Sequence, residues 1–208
     1  MHTYKREVDL SSQFRGAVFL DRDGVIIEDV NYISSISDLR LVKGIKKLLE
    51  YFSELGVKIV VVTNQSGISR GFFDWRKYEQ ITDKLIEYLG DKVLITAIYA
   101  NGYKDHLSSM GWRKPEPGML IEAANQLKID LTRSILIGDR LSDMEAATRA
   151  NIKQLFYLPG ANQQKMRESI SERVDNNGYF IHKKLSARIV LLNSLEDIER
   201  DQVIEIIK

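Results

Sequence analysis

Short, almost wholly apolar runs alternate along this chain with longer segments of helical periodicity. The runs are AVFL at 17–20, VKIVVVT at 57–63, VLITAIYA at 93–100, SILIG at 134–138 and KQLFYL at 153–158. Strands that are apolar on both sides must be covered on both faces, which is typical of a parallel sheet between two helical layers. The pattern therefore predicts an α/β fold, a Rossmann-like three-layer sandwich around a mostly parallel central sheet.

Between the runs, apolar residues recur at the spacing of one helix face. They predict helices around 45–52, 78–89 and 119–127. Gly56 is placed to end the first helix, and Pro117 is placed in the first turn of the third. A further strand is predicted at 188–192 and a last helix over 195–208.

The length of 208 residues fits one domain, and the chain shows no repeat, low-complexity tract or linker. We predict a single domain over 1–208, with a motif-bearing core over about 16–160. The C-terminal part, 161–208, includes a polar stretch at 163–184. That part is expected either to pack on the core or to form an oligomer contact.

Composition excludes several classes of site. With 30 basic and 29 acidic residues the net charge is +1, and no dense basic cluster points to nucleic acid. The absence of cysteine excludes disulfides, thiol nucleophiles and zinc sites built on cysteine. No apolar run reaches the roughly 20 residues that a membrane-spanning helix needs. A cytoplasmic protein with no membrane or nucleic-acid partner is predicted.

Polar residues follow the ends of several predicted strands. The segments are Asp21-Arg22-Asp23-Gly24, Thr63-Asn64-Gln65-Ser66-Gly67, Arg113-Lys114-Pro115 and Gly138-Asp139-Arg140, with Asp143 one helical turn later. In open parallel sheets, ligands bind beyond the carboxyl ends of the strands. We therefore expect these four segments to converge on one site.

The residue types in these segments suit phosphoryl transfer. Asp21 and Asp139 offer hard oxygen ligands of the kind that magnesium prefers. One carboxylate of the Asp21–Asp23 pair could attack phosphorus while the other exchanges protons with the leaving oxygen and with water. Thr63 could hold phosphate oxygens, and Lys114 could neutralise their charge. The set predicts a magnesium-dependent phosphatase.

Taken singly, each of these residues has an ordinary structural explanation. Asp23-Gly24 is a common turn pair, and Thr63-Asn64 could cap a helix. An isolated Lys114 would usually be a solvated surface charge, and Asp143 an exposed helix residue. These explanations fail jointly, because all of the residues fall at the same edge of one predicted sheet in the order that a phosphatase needs.

Four motifs resemble those of the haloacid dehalogenase (HAD) superfamily of phosphohydrolases. They are FLDRDGV at 19–25, VVVTNQSG at 60–67, RKPEPGM at 113–119 and ILIGDRLSDMEAA at 135–147. The matched region covers roughly 16–160. With Asn31-Tyr32 and TNQSGISRGFF at 63–73, the motifs resemble the D-glycero-D-manno-heptose 1,7-bisphosphate 7-phosphatases, whose pattern the phosphatase part of histidinol-phosphate phosphatases shares.

The resemblance implies a role for each matched residue. Asp21 would be the nucleophile and Asp23 the acid and base, while Thr63 and Lys114 would hold the transferring phosphate. Magnesium would be bound by Asp21, the backbone carbonyl of Asp23, and Asp139. The residues facing the rest of the substrate would be Asn64, Gln65, Ser66, Arg70 and Arg113. Arg113 would take a second phosphate or sugar hydroxyls in bidentate fashion.

Two features depart from this branch. Close relatives carry a zinc loop with several cysteines before the RKP segment, whereas the stretch here reads ANGYKDHLSSMGWRKP, with His106 alone. No structural zinc is therefore expected. The family's usual motif-four lysine is Arg140 here. As in the family, little or no cap domain is expected, because too few residues separate the second and third motifs.

Hydrolysis of heptose 1,7-bisphosphate for bacterial surface polysaccharide is the leading functional hypothesis. A phosphatase for histidinol phosphate or another small phosphomonoester shares the chemistry and is the alternative. A DNA 3′-phosphatase would require a basic groove, and an inactive binding module would not need the complete set of motif residues. The expected partner is a small sugar phosphate, and the chain is expected to be a monomer or a weak homo-oligomer.

Overall fold

The structure is a computed structural model, and it describes residues 1–5, 13–30, 33, 35–105, 111–160, 179–180 and 187–208. Asn31, Tyr32, His106 and most of the polar stretch at 163–184 lie outside the described residues.

The described residues form one sheet of eight strands. The strands are β1 (His2–Lys5), β2 (Ala17–Leu20), β3 (Lys58–Asn64), β4 (Ala97–Asn101), β5 (Ile135–Gly138), β6 (Gln154–Tyr157), β7 (Tyr179–Phe180) and β8 (Arg188–Leu191). Their spatial order is β1-β4-β3-β2-β5-β6-β8-β7. All neighbours pair in parallel except at the two edges, where β1 and β7 are antiparallel. The sheet is therefore mostly parallel, as predicted.

Helices cover both faces of this sheet. They are α1 (Ile45–Glu54), α2 (Trp75–Leu89), α3 (Gly118–Leu127), α4 (Leu141–Arg149) and α5 (Arg200–Ile207). Buried residues of α1, α2 and α5 share one apolar cluster with Val18 and Leu20 of β2. Those of α3 and α4 share the other cluster with Ala17 and Phe19. Alternate residues of β2 are thus buried in the two cores on opposite faces of the sheet. The predicted three-layer α/β fold is confirmed.

The strand expected at 93–100 is shorter than predicted. Strand β4 begins only at Ala97, although Val93 and Ile95 are buried. Just before β4, the regular pairing with β3 is interrupted at Thr96. The Thr96 backbone N–H donates to the Ile59 carbonyl, and the Thr96 hydroxyl accepts from the Ile59 N–H. Strands β1 and β7 were not predicted, because a short antiparallel edge strand lacks the continuous apolar run of a central strand.

The C-terminal residues that the structure describes pack on the core. Strand β8 extends the sheet beside β6, and Val203 and Ile207 of α5 are fully buried. The carbonyl of Ile207 accepts a hydrogen bond of 3.0 Å from the Gly16 amide, just before β2. The last helix begins at Arg200 and not at Leu195, because Leu195–Asp197 forms a separate 3-10 turn. These described residues therefore pack on the core, and an oligomer contact made by the C-terminal part stays a prediction.

Among the described segments, no helix combines the length and apolar character that crossing a membrane requires.

Candidate active site

Four segments meet beyond the carboxyl ends of the central strands. Asp21 directly follows β2, which lies between β3 and β5 in the sheet. Thr63 lies near the end of β3, and Asp139 directly follows β5. The loop before α3 brings Lys114 to the same edge. The convergence expected from the sequence is therefore present in the structure.

A cavity of about 380 Å³ opens at this edge. The predicted site residues that line it are Asp21, Asp23, Asn64, Gln65, Ser66, Arg113 and Lys114. Thr63 and Asp139 are buried at its base, where each contacts lining residues. Arg70 is exposed and does not line the cavity. The structure thus brings together all of the predicted residues except Arg70.

Lys114 occupies the centre of this site. Its ammonium group lies 3.0 Å from Asp21 Oδ1 and 2.7 Å from Asp143 Oδ1, and it donates to the Val62 carbonyl at 2.8 Å. The side chain is almost completely buried. Burial alone would lower the pKa of Lys114, but the carboxylates of Asp143 and Asp21 outweigh it and raise the pKa. Lys114 is therefore a permanent cation beside Asp21.

The loop that carries Lys114 is fixed by Asn64. The Asn64 amide donates to the Lys114 carbonyl and accepts from the Lys114 backbone N–H, both at 3.1 Å. These two bonds join the end of β3 to the loop before α3. Asn64 also lines the cavity, so its side chain both positions the loop and borders the space available to a substrate.

Arg113 borders the cavity next to Lys114. Its Nη1 donates to the Tyr103 carbonyl at 3.2 Å, and its side chain is only partly buried. The guanidinium therefore lies at the wall of the cavity, next to the Tyr103 carbonyl. A second anionic group of a substrate could reach it there.

Three buried carboxylates lie close together at the base of the site. Asp21, Asp139 and Asp143 each place one oxygen within 4.8 Å of the others. Burial, with smaller contributions from nearby carboxylates, raises the pKa of Asp21 to about 7 and that of Asp139 to about 8. Lys114 opposes both shifts without cancelling them. So many buried acids are hard to ionise together unless further positive charge is present.

A divalent cation fits this donor set. The crowded oxygens are the hard ligands that magnesium prefers. Gly24 has φ +87°, and a Cβ at this position would lie 2.4 Å from Asp139 Oδ2. Only glycine therefore lets the turn after Asp23 pass directly against the Asp139 carboxylate. Both contacts of Asp21 within the described chain, to Lys114 and to the Arg22 amide, use Oδ1, so Oδ2 is available to a metal or a substrate.

Asp23 has different partners from this cluster of acids and is partly exposed. Its carboxylate accepts hydrogen bonds from Arg22 and from Gln65. Asp21 and Asp23 therefore differ in surroundings although they are two residues apart. Asp21 lies among buried acids and a lysine, whereas Asp23 is held by a guanidinium and an amide.

Arg140 forms a contact that the sequence did not predict. Its Nη2 lies 2.7 Å from Asp29 Oδ2, and its Nε lies 3.7 Å from Asp139 Oδ2. Burial would lower the pKa of Arg140, but Asp139 and Asp29 raise it. Both Arg140 and Asp29 line the cavity. The arginine that replaces the family's lysine thus joins α4 to the loop after β2.

Sequence reasoning assigned no role to Arg22, Asp29 or Asp143, although all three line the cavity. The spacing of Asp143, one helical turn after Asp139, placed it near the site, but it did not indicate that the carboxylate pairs with Lys114. Arg22 gave no such signal, since an arginine between two aspartates is usually exposed. Asp29 meets Arg140 across 111 residues of sequence, a pairing that only the fold brings about.

Comparison with known proteins agrees with this geometry. The family model described as HAD-hydrolase-like matches residues 111–184. A D-glycero-beta-D-manno-heptose-1,7-bisphosphate 7-phosphatase of Photorhabdus laumondii is 41% identical over 143 residues, covering 65% of this chain and 76% of the relative. The alpha-heptose counterpart from the same organism is 34% identical over 178 residues, covering 80% of this chain and 94% of the relative.

Solved structures share the fold. The structure described as that of a HAD-like phosphatase from Mesorhizobium loti has a TM-score of 0.78 and 28% identity, covering 99% of this chain and 91% of that one. The fold is shared by the D,D-heptose 1,7-bisphosphate phosphatase of B. bronchiseptica, with a TM-score of 0.75, 23% identity, and coverage of 91% and 98%. The chain belongs to the HAD superfamily of phosphohydrolases, in the family of the heptose-1,7-bisphosphate 7-phosphatases.

Proposed function

We propose that this chain removes the 7-phosphate from D-glycero-D-manno-heptose 1,7-bisphosphate, using Asp21 as the nucleophile and magnesium as the cofactor. The observation that carries the chemical part is the buried Lys114 ammonium, 3.0 Å from Asp21. A cation in that position stabilises the ionised carboxylate and can also contact the phosphate that the carboxylate attacks. An ordinary structural ion pair would not require the other polar groups that surround it.

The residues divide the reaction into two displacements. Asp21 Oδ2 attacks phosphorus, the bond to the sugar oxygen breaks, and the leaving oxygen takes a proton from the Asp23 carboxyl. A water molecule then gives a proton to the Asp23 carboxylate and attacks phosphorus, which breaks the bond to Asp21 and releases phosphate. Thr63 and Lys114 hold the phosphoryl oxygens during both displacements.

Asp21, Asp139 and the backbone carbonyl of Asp23 are the proposed magnesium ligands. When bound, the ion would offset the negative charge of carboxylate and phosphate, which otherwise repel each other. Asp143 belongs to the same group of oxygens, but its Oδ1 contacts Lys114 and its Oδ2 accepts from the Arg140 amide. We therefore assign Asp143 to fixing Lys114 and the start of α4.

The heptose bisphosphate is proposed from the names of the relatives and from the arrangement of cations. Phosphate transfer at Asp21 leaves Arg113 beside the cavity to bind a second phosphate or sugar hydroxyls. Asn64, Gln65 and Ser66 border the same space, and we keep Arg70 as a predicted contact from outside the cavity. The relatives act on either anomer according to their names, so both anomers belong in the test. The cytoplasmic location, the lack of zinc, the single domain and the monomeric or weakly associated state stay predictions.

The test is phosphate release by the purified protein, first with magnesium and then with excess chelator. The panel contains both anomers of heptose 1,7-bisphosphate, histidinol phosphate, other sugar phosphates and a 3′-phosphorylated oligonucleotide. We expect the heptose to be fastest and all activity to be lost with chelator. Preference for another compound would support the proposed phosphatase chemistry and contradict the proposed substrate.

Asp21→Asn tests the nucleophile, and Asp91→Asn is its matched control. Asp91 is exposed in the turn that follows α2, at the amino-terminal side of β4 and away from the site. Asp21→Asn should reduce turnover to background while remaining folded, and Asp91→Asn should behave as wild type. Undiminished turnover by Asp21→Asn would exclude Asp21 as the nucleophile.

A further inference from the structure

Arg22 is a buried cation that contacts Asp23 with two nitrogens. Its side chain is 3% exposed, and Nη2 lies 2.9 Å from Asp23 Oδ1 and 3.0 Å from Oδ2. Nε lies 3.3 and 3.2 Å from the same two oxygens. The guanidinium therefore meets the Asp23 carboxylate side-on, which restricts rotation of the carboxylate.

Gln65 completes a closed set of hydrogen bonds around this pair. Its Nε2 donates to Asp23 Oδ2 at 2.8 Å, and its Oε1 accepts from Arg22 Nη2 at 3.0 Å. The same Nε2 lies 2.8 Å from Thr63 Oγ1, which ties the set to β3. Because Gln65 is buried, each of its amide atoms is used inside the protein and not by solvent. Arg22, Asp23 and Gln65 thus hold one another in a single arrangement.

Helix α2 supports Arg22 from behind. The ring of Tyr78 lies 5.4 Å from the guanidinium carbon, within cation–π range, and Trp75 packs edge-on against Tyr78. Burial would lower the pKa of Arg22, but Asp23 raises it, so the cation is kept. A movement of Arg22 would have to break contacts with Asp23, Gln65 and Tyr78 together.

We propose that Arg22, assisted by Gln65, is a positioning residue that fixes the Asp23 carboxyl group for proton transfer to the leaving oxygen. This inference rests on the proposed function, in which the sugar oxygen departs from phosphorus and takes the proton of Asp23. A sugar alkoxide is a poor leaving group, so its departure depends on the placement of that proton. Arg22 acts only through Asp23 and does not touch the reacting atoms.

The leaving group distinguishes this role from mere support of the fold. p-Nitrophenolate leaves readily without protonation, so the first displacement on p-nitrophenyl phosphate does not need Asp23. Loss of the positioning contacts should therefore slow transfer from a sugar phosphate and spare transfer from the aryl phosphate. General damage to the site would instead slow both substrates by the same factor.

The experiment measures single turnovers with enzyme in excess over heptose 1,7-bisphosphate or p-nitrophenyl phosphate, following dephosphorylated sugar and p-nitrophenol respectively. Arg22→Met removes the guanidinium, and Gln65→Met removes the amide at similar volume. We expect Arg22→Met to slow the sugar phosphate about 10²-fold and the aryl phosphate less than about threefold, since proton transfer typically contributes 10²–10⁴-fold. Gln65→Met should show the same selectivity to a smaller degree, and Arg22→Lys should recover part of the loss.

Arg133→Met is the matched control, because Arg133 is exposed and precedes β5 at the opposite edge of the sheet. Equal slowing of both substrates by Arg22→Met and Gln65→Met, or no slowing of either, would overturn the positioning role while leaving the proposed function intact. If Arg22→Met does not fold, the selectivity of Gln65→Met between the two substrates tests the positioning role by itself. A wild-type protein inactive on both substrates would overturn the proposed function, and the positioning role with it.

Discussion

Lys114 and Asp143 form a buried ion pair, with 2.7 Å between the ammonium nitrogen and Oδ1 of the carboxylate. The pair joins the loop before α3 to the first turn of α4, and the same ammonium group reaches Asp21. Asp143 therefore helps to hold the Lys114 ammonium group in its position between the two carboxylates. Without it, we expect the Lys114 ammonium group to shift towards Asp21 and away from the proposed position of the phosphate.

We expect Asp143→Asn to lower kcat by about 10- to 100-fold, since a hydrogen bond to a charged group contributes about 1.5–3 kcal/mol. The asparagine oxygen can still accept from the Arg140 amide, so the start of α4 should persist. Steady-state kinetics and thermal unfolding measure the two effects. Glu145→Gln, on the same helix and partly exposed, is the control. A normal kcat for Asp143→Asn would show that Lys114 needs only Asp21.

Asp139 predicts how the stability of the metal-free protein depends on pH. Burial and the neighbouring carboxylates of Asp21 and Asp143 raise its pKa from 3.8 to about 8. Between these values the folded protein binds a proton that the unfolded chain has released. The contribution of Asp139 to the free energy of unfolding therefore falls as the pH rises from about 4 to about 8.

Thermal unfolding in chelator should accordingly show a melting temperature that declines towards pH 8. Asp139→Asn removes the titrating group, so its melting temperature should decline less and should exceed that of wild type at pH 8. A gain of ~1 kcal/mol corresponds to about 2–4 °C for a chain of this size. Asp91→Asn should retain the wild-type decline. Parallel curves for wild type and Asp139→Asn would contradict the shifted pKa.

The sequence allowed the central part of the fold to be predicted because buried parallel strands leave a strong local signal. Strand β2 is wholly apolar because its residues are buried in the two cores, so the strand could be predicted from its sequence alone. Edge strands leave no such signal. Strand β1 reads HTYK, and its place beside β4 depends on pairing across about 95 residues. Local periodicity does not contain that information.

The site could be predicted as far as residue types follow strand ends. Asp21, Thr63 and Asp139 lie where the strands place them, as the general rule for parallel sheets requires. The environment of each side chain could not be predicted, because it depends on partners distant in sequence. Gln65 was expected to face the substrate, but its amide bonds Asp23 and Arg22. A contact between Gln65 and the substrate stays a prediction.

Gly24 should not tolerate a side chain. Its φ of +87° is one that residues with a Cβ rarely adopt, and that Cβ would lie 2.4 Å from Asp139 Oδ2 and 3.0 Å from Asp139 Cβ. If Asp139 is a magnesium ligand, magnesium should raise the melting temperature of the wild type, and we expect Gly24→Ala to displace Asp139 and to abolish that increase. Gly56→Ala is the control, because Gly56 also has positive φ, +75°, but a Cβ there would meet nothing within 4 Å. If both variants lost the magnesium effect, backbone strain alone would explain the loss, and the contact with Asp139 would not be needed.

Arg113 tests the distal part of the substrate. Its guanidinium borders the cavity beside Lys114 and donates to the Tyr103 carbonyl. Replacing it should therefore weaken binding of a second phosphate without disturbing transfer of the first. We expect Arg113→Ala to raise KM for heptose 1,7-bisphosphate about 10- to 100-fold, which corresponds to the ~1.5–3 kcal/mol of a charged hydrogen bond.

For a monophosphate such as histidinol phosphate, KM should change less than about threefold, because the contact that Arg113→Ala removes is made only with the distal group. Arg133→Ala, an exposed arginine at the other edge of the sheet, controls for the loss of a positive charge at low ionic strength. Equal increases in KM for the bisphosphate and the monophosphate would mean that Arg113 acts on the transferring phosphate. The second phosphate would then have to be bound by another cation that lines the cavity, such as Arg140.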